Sequence, residues 1–355
     1  MTAADNAGGW RLDWPVSGGK RVGRAQLKTV NDDFRVSEWL WPEDSEDTTA
    51  TAPTGAGGEH LCLRLEKNGD NTEFVARELA GLAGCRGHDV GFCGLKDRHA
   101  VTRQWFSLYR PGQELEDASL LAAIGARWPV LASRRHPRKL RRGDHLGNGF
   151  ELVLRSVTGG REAVDQALTR LAGQGAPNYF GPQRFGFHGG NLDKALTLDP
   201  TRINRKRGRG GRSASKNVLY FSAARSWLFN EVLAERVEAG NWARVLDGEP
   251  ATGELAPSGP MWGDGGTTAN GEQERLERQV VDVHPGLARL FASTRMKPER
   301  RCLVSRPEQV HWQWLDEQAL ILRFFLQPGQ YATTLLADIF ELEDMSLGRN
   351  NKQSG

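Results

Sequence analysis

The sequence predicts an α+β fold, with a mixed, mostly antiparallel sheet flanked by helices and a second domain inserted into the first. The first observation is a series of short segments in which apolar and polar residues alternate, which is the pattern of half-buried strands. The second is that single amphipathic helical segments separate these strands. The third is that residues 175–305 differ in composition from both flanks. With 355 residues, the chain is long enough for two domains.

Alternation, helical spacing and turn residues predict the individual elements. Predicted strands cover residues 25–30, 34–40, 60–66, 90–93, 102–108, 129–132, 150–155, 311–315 and 319–326. Predicted helices cover residues 72–83, 115–125, 161–173, 221–239 and 331–343. Asn71 or Thr72 is suited to cap the first helix, and Gly84 to end it.

The order of these segments predicts a discontinuous first domain. Residues 1–174 and 306–355 form this domain, because its last predicted strands lie near the carboxyl terminus. Residues 175–305 form the inserted domain, which begins with a loop rich in Gly, Pro and aromatic residues. Within it, residues 247–278 are Gly-rich and polar and show little periodicity.

Composition argues against several classes of protein. The mean hydropathy is −0.54 and no apolar run is long enough to span a membrane. The amino terminus lacks the features of a signal peptide, and the four cysteines form no CxxC pair. We therefore expect a cytoplasmic protein with reduced thiols and no metal site. A metal-dependent nuclease is disfavoured, because no clustered carboxylates or His pairs occur.

The net charge of +3 is small, but its distribution is uneven. One basic segment contains Arg134, Arg135, Arg138, Lys139, Arg141 and Arg142, and the other contains Arg202, Arg205, Lys206, Arg207, Arg209, Arg212 and Lys216. No acidic residue occurs within either segment, 134–142 or 202–216. Such segments are typical either of a face that binds a polyanion such as nucleic acid or of solvated loops.

One carboxylate stands out among basic neighbours. Asp97 follows an apolar run and Gly94, lies beside Lys96, Arg98 and His99, and precedes the next strand. Nearby positive charge is expected to lower the pKa of Asp97 and keep it ionised. An ionised, positioned carboxylate can act as a nucleophile or a base, although a solvated turn also explains the pattern.

Several peptides, in order along nearly the whole chain, together resemble the TruD family of tRNA pseudouridine synthases. They are DFRVSE (33–38), the stretch 58–72, GLKDRHAVT (94–102), GNGF (147–150), PNYFGPQRFG (177–186), SAARS (222–226) and PGQYAT (328–333). The resemblance implies a pseudouridine-synthase-like catalytic domain and an inserted TRUD domain that forms the other wall of a cleft. It implies isomerisation of a tRNA uridine, typically uridine 13 of the D-arm, with tRNA as the partner and without a metal or organic cofactor. We expect a monomer.

The resemblance also assigns residues. It implies that Asp97 is the catalytic carboxylate and that Lys28 is a basic residue near it. It implies that Phe150 stacks on the base and that Asn148, Phe34 and Tyr331 contact the substrate, although the family often has Phe where this chain has Tyr331. Arg184 and Arg225 lie in matching peptides as candidate phosphate ligands, and His99 receives no role in proton transfer.

Some alternatives stay open at the level of sequence. Phe150 also fits a core position at a strand start, and Asn148 also fits a simple Gly-Asn-Gly turn. Asp97 could attack C1′ of the ribose or remove the C2′ proton to give a glycal. A non-catalytic tRNA-binding protein or RNA chaperone on the same fold is the alternative function.

Overall fold

The structure is a computed structural model and describes residues 9–45, 57–199, 211–251, 253, 257–292, 294 and 296–350. Its strands are β1 (Gly23–Leu27), β2 (Phe34–Trp39), β3 (His60–Asn68), β4 (Val90–Phe92), β5 (Val101–Tyr109), β6 (Val130–His136), β7 (Gly147–Leu154), β8 (Ala176–Pro177), β9 (Ser258–Met261), β10 (Glu299–Cys302), β11 (Val304–Ser305), β12 (Glu308–Trp314), β13 (Leu320–Leu326) and β14 (Phe340–Asp344). Its α-helices are α1 (Thr72–Leu82), α2 (Asp117–Gly125), α3 (Arg161–Gln174), α4 (Gly190–Leu196), α5 (Gly211–Glu238), α6 (Gly271–Asp282), α7 (Pro285–Phe291), α8 (Ala332–Ala337) and α9 (Leu347–Asn350). Short 3-10 helices cover Asn31–Asp33, Pro42–Ser45, Gly87–Asp89, Glu114–Glu116, Pro182–Phe185 and Phe187–Gly189.

These elements form two compact units. The sheet unit comprises Gly23–Gly160, Pro307–Gln330 and Glu341–Gly355, and the helical unit comprises Met1–Val22, Arg161–Arg306 and Tyr331–Phe340. The division into residues 1–174 with 306–355 and residues 175–305 remains a prediction about domains. Within the part of the chain that the structure describes, no helix combines the length and apolar character needed to cross a membrane.

The sheet unit is built on a mixed, mostly antiparallel sheet, as predicted. Among the described residues, eight strands join it in the order β12-β13-β7-β2-β5-β3-β6, with β4 beside β5. Only the β2–β5 pair of this sheet is parallel in the described chain. Together with the flanking helices, this topology confirms the α+β fold class.

One edge of β5 is shared by two strands, and this positions the loop of interest. β2 pairs with the first residues of β5, and β4 pairs with residues near its end. At Trp105, between these two pairings, the backbone N–H donates to the Glu38 carboxylate at 3.2 Å. The chain leaves the sheet after β4 and returns at Val101, so both ends of the Asp97 loop are fixed in the sheet.

The two faces of the sheet follow the period of two along each strand. On one face, Leu61, Leu63 and Leu65 of β3 pack with Val75 and Leu79 of α1 in a buried core. The register places the even-numbered residues of β2 and β7 on this same face. The Asn71 side chain accepts a hydrogen bond from the backbone of α1, as the sequence predicts for a helix cap.

The helical unit has a separate core around α5. Buried residues of α5 there include Trp227, Leu228, Phe229 and Leu233. Two short antiparallel strand pairs, β9–β10 and β8–β11, also belong to this unit. Helix α5 begins at Gly211, earlier than the predicted start at residue 221.

The prediction for the last helix is wrong in its second half. The helix predicted for residues 331–343 ends at Ala337, and β14 follows it. β14 pairs with β1, and its Glu341 bonds with Arg24, so tertiary pairing determines the conformation of this segment. The segment 247–278, which shows little periodicity, contains β9 and the start of α6. The buried face of α6 carries the polar side chains of Gln273 and Glu277, which conceal the helical pattern.

The two basic segments have different outcomes. On β6, Arg134 lies over the Trp41 ring at 3.6 Å, and Arg135 pairs with Asp117 at 2.6 Å. Both guanidinium groups therefore have partners within the sheet unit. Further along the first segment, Arg138, Arg141 and Arg142 are exposed. The second segment lies outside the residues whose side chains the structure describes.

Candidate active site

The loop that carries Asp97 is held by buried polar side chains. The backbone N–H of Lys96 donates to Thr72 Oγ1 at 3.0 Å, and Gln104 Nε2 donates to the Gly94 carbonyl at 2.6 Å. Thr72 and Gln104 also bond to each other at 3.0 Å. Both are almost fully buried, so α1 and β5 fix the backbone of the loop on either side of Asp97.

Asp97 is an ionised carboxylate with a fixed orientation. Its Oδ2 accepts a hydrogen bond from Lys28 Nζ, and its Oδ1 accepts one from the His99 backbone N–H at 2.9 Å. Partial burial raises the pKa of Asp97, but the charge and hydrogen bond of Lys28 and the His99 N–H outweigh it. The net pKa lies below the ordinary 3.8. With 34% of its side chain exposed, Asp97 remains accessible to a ligand.

Lys28 is the cation that accompanies Asp97. Its side chain is only 7% exposed, and Nζ also lies 3.3 Å from Asp344 Oδ2. The same ammonium lies 4.7 Å from the centre of the Phe34 ring. The sequence predicted basic neighbours for Asp97, and the counter-charge comes from a residue 69 positions away rather than from adjacent Lys96.

Aromatic rings form a surface beside this ion pair. The Phe150 ring lies edge to face with the Phe34 ring, with 6.2 Å between ring centres, and is stacked with the Phe324 ring, with 5.4 Å between ring centres. Phe34 and Phe324 are buried, whereas Phe150 is half-buried. The core and ligand-binding interpretations of Phe150 are therefore compatible.

Asn148 belongs to a buried ionic network on the same face. Its Oδ1 accepts from Lys96 Nζ at 2.6 Å, and Lys96 Nζ is also 2.6 Å from Glu38 Oε2. Glu38 and Asn148 are directly opposite each other on β2 and β7. Asn148 Nδ2 contacts His145 Nε2 at 3.5 Å. Burial lowers the pKa of His145, so this imidazole is neutral at pH 7.

Four predicted site residues thus come together in the sheet unit through direct contacts: Lys28, Phe34, Asp97 and Phe150. Asn148 connects to this group through Lys96, the residue before Asp97. Tyr331 belongs to the helical unit, where it precedes α8 and its ring lies 6.5 Å from Phe180.

The sequence did not single out Glu38, Lys67 and Asp344 as site residues. Glu38 and Lys67 lie on the buried face of the sheet, at positions where alternation predicts apolar residues. A charged residue at such a position was the signal in the sequence that could have identified them. Lys67 is 1% exposed and donates to the Asp70 carbonyl at 2.9 Å. Burial lowers the pKa of Lys67 to about 8. Asp344 gave no such signal, since it directly follows the segment that was predicted as the last helix.

The two candidate phosphate ligands lie in the helical unit. Arg225 is buried and donates to the backbone carbonyls of Met261, Trp262 and Lys297. These bonds occupy its guanidinium and favour a structural role. Arg184 bonds with hydroxyls of α5 and lies 5.6 Å from the Phe180 ring.

Within the described residues, no group of three or more His, Cys, Asp or Glu side chains is arranged to hold a metal ion. The candidate site contains the ionised Asp97 carboxylate, the paired Lys28, the Asn148 amide and the half-buried Phe150.

Comparison with known proteins gives one family. The family model described as tRNA pseudouridine synthase D (TruD) matches residues 18–192 and 250–339. The chain is 70% identical to a tRNA pseudouridine synthase D of Marinobacter nauticus, over 97% of this chain and 98% of the relative. It is 36% identical to a protein of the same description from Hydrogenovibrio crunogenus, over 92% and 95% of the two chains. A crystal structure described as a tRNA pseudouridine synthase D from Methanosarcina mazei has a TM-score of 0.65 and 21% identity, covering 95% and 97% of the chains, and supports the fold.

Proposed function

Because the chain belongs to the TruD family of tRNA pseudouridine synthases and is therefore an isomerase, we propose that Asp97 is its catalytic carboxylate and uridine 13 of the D-arm its target. The observation that carries the proposal is the ionised, one-third exposed Asp97, oriented by Lys28 and by the His99 N–H. This is the state that a nucleophile or base requires.

The reaction breaks the N1–C1′ bond of the nucleotide, turns the uracil and forms a C5–C1′ bond. The product is an isomer of the substrate, because C5 loses one proton and N1 gains one; no net oxidation occurs, so the conversion needs no external oxidant or reductant. The Asp97 carboxylate either attacks C1′ and is released when C5 bonds to that carbon, or removes the C2′ proton to give a glycal and later returns it. Both routes start from the ionised carboxylate.

The neighbouring residues supply complementary functions in this proposal. The target base must leave its stack before reaction, at a cost of a few kcal/mol. The exposed part of Phe150 gives the detached base a flat apolar surface, and stacking on an aromatic ring contributes about 1–3 kcal/mol. Asn148 contributes a hydrogen bond, Phe34 supports Phe150 and Lys28, and Tyr331 is a further substrate contact. We propose a monomer that acts on tRNA without an added cofactor.

Mapping pseudouridine in cellular tRNA tests the proposal. Cells that lack this gene should lose pseudouridine at position 13, and a plasmid copy should restore it whereas the Asp97→Asn variant should not. Restoration by Asp97→Asn would remove Asp97 from the chemistry. If a purified wild-type protein bound tRNA in a salt-sensitive manner but formed no pseudouridine, the non-catalytic RNA-binding alternative would replace the proposal.

A further inference from the structure

The amide of Asn148 is held in one orientation. Its Oδ1 lies 2.6 Å from Lys96 Nζ. An ammonium group is a hydrogen-bond donor and never an acceptor, so this contact requires the amide oxygen rather than the nitrogen on that side. The NH₂ group of Asn148 must then point away from Lys96.

The surrounding network prevents the amide from turning over. Glu38 is fully buried and lies 2.6 Å from Lys96 Nζ, while its other oxygen accepts the Trp105 backbone N–H. Lys96 is 7% exposed and its own backbone is bonded to Thr72. A flipped amide would set its NH₂ against the buried ammonium, so the hydrogen bond between Lys96 and Asn148 would be lost and two donors would face each other. Because Glu38 fixes Lys96, and Lys96 fixes Asn148, all three act as one unit.

The exposed side of this unit therefore presents a donor. One N–H of Asn148 faces the neutral His145 ring at 3.5 Å, where Nε2 can accept. An amide nitrogen carries two hydrogens, so a second N–H is available to a ligand. Asn148 is half-buried, and its partner Lys96 directly precedes Asp97.

We propose that Glu38 and Lys96 are positioning residues that make Asn148 a fixed hydrogen-bond donor, and that this donor selects uracil over cytosine. The inference rests on the proposed function. Uracil has a carbonyl oxygen at C4, which accepts a hydrogen bond, whereas cytosine has an amino group there, which donates one. A cytosine in the site would set its amino group against the Asn148 NH₂ and leave both donors unpaired.

Equilibrium binding to matched tRNAs tests this inference without turnover. In the Asp97→Asn background, the dissociation constants are measured for unmodified tRNA with either uridine or cytidine at the modified position. We expect uridine to be preferred by about 10- to 100-fold, since one mismatched buried donor pair has an effect of this order. Asn148→Asp retains an oxygen for Lys96 but presents a carboxylate to the base, so we expect the preference to reverse. A merely structural role of Asn148 would not reverse it.

The positioning residues are tested in the same background. Lys96→Met should lower the preference for uridine to less than about 3-fold, because the amide is then free to rotate. This variant leaves the buried Glu38 charge unpaired, so the double variant Glu38→Leu with Lys96→Met removes both charges and serves where the single variant folds poorly. The matched control is Arg103→Met, which removes the Arg103–Glu66 ion pair of the same sheet and should keep the preference.

The outcomes separate this inference from the proposed function. If wild-type enzyme forms pseudouridine but Asn148→Asp and the folded Lys96 variants keep the uridine preference, the inference is wrong and the function stands. Equal binding of the two tRNAs by Asp97→Asn alone would also overturn the inference and leave the proposed function standing. If wild-type enzyme forms no pseudouridine, both are overturned.

Discussion

Removing the Lys28 ammonium should raise the pH at which the enzyme loses activity. Lys28 is 7% exposed and lies between two carboxylates, Asp97 and Asp344. In Lys28→Met the side chain keeps a similar length and the same demand on the left-handed backbone at φ +58°. The change therefore removes the charge and leaves the local conformation largely as it was.

The size of the effect follows from what acts on Asp97. Burial is the largest influence and raises its pKa, and the charge and hydrogen bond of Lys28 are the next largest and lower it. An adjacent opposite charge lowers a carboxyl pKa by about 1–3 units. Without Lys28, burial dominates, and we expect the pKa of Asp97 to rise above the ordinary 3.8.

The assay is the single-turnover rate of pseudouridine formation between pH 5 and pH 8. Wild-type Asp97 stays ionised over this range, so its own titration should cause no loss. Lys28→Met should lose activity progressively on going from pH 7 to pH 5, because a growing fraction of the carboxylate becomes protonated. Asp344→Asn is the matched control, since it keeps the Lys28–Asp97 pair and should show no acid loss. If wild type and Lys28→Met have superimposable pH profiles, Lys28 does not control the ionisation of Asp97.

The remaining predictions concern stability and the aromatic surface. Burial lowers the pKa of Lys67 from 10.5 to about 8. The charged side chain therefore destabilises the fold below pH 8 by about 3 kcal/mol. This destabilisation disappears as the pH rises to 10.5. Urea titrations measure the difference in free energy of unfolding between Lys67→Met and wild type. This difference should fall by about 3 kcal/mol between pH 7.5 and pH 10.5, and a difference that does not change with pH would contradict the buried charge. Phe150→Leu should lower kcat/KM by about 10- to 100-fold while tRNA affinity changes little, because the stacking surface for the detached base is lost. Phe324→Leu, buried behind Phe150, should mainly reduce stability, and an equal loss of activity in both variants would make Phe150 a core residue only.

The sequence predicted the sheet well because alternation in its strands is strong. Val36 and Phe150 fall on buried-face positions that the period of two assigns to them, and Asp97 lies between two strands as expected. The prediction failed for β14, whose conformation depends on pairing with β1, more than 300 residues earlier along the chain. The pattern also did not indicate α6, because Gln273 and Glu277 occupy its buried face. The local sequence pattern contains no information on the pairing of β14 with β1 or on the contacts of the buried face of α6.

The sequence names the proposed members of the candidate site but not the contacts between them. The peptides around Asp97, Asn148 and Phe150 identify the residues by resemblance. Adjacency along the chain suggested that Lys96 accompanies Asp97, but Lys96 turns to Glu38 and Asn148, and Lys28 accompanies Asp97 instead. Lys96 pairs with Glu38 because of a tertiary contact. The fully buried Glu38 carboxylate requires a cation, and Lys96 Nζ lies 2.6 Å from it.

The central claim is that the Asp97 carboxylate carries out the chemistry, and substitution by its uncharged isostere tests it most directly. Purified Asp97→Asn is mixed in excess with unmodified tRNA, and pseudouridine at position 13 is measured over time beside wild type. Melting temperature and tRNA affinity are measured in parallel to establish that the variant folds and binds. We predict no detectable pseudouridine with near-normal binding. Product formation by Asp97→Asn at a rate close to that of wild type would contradict the account.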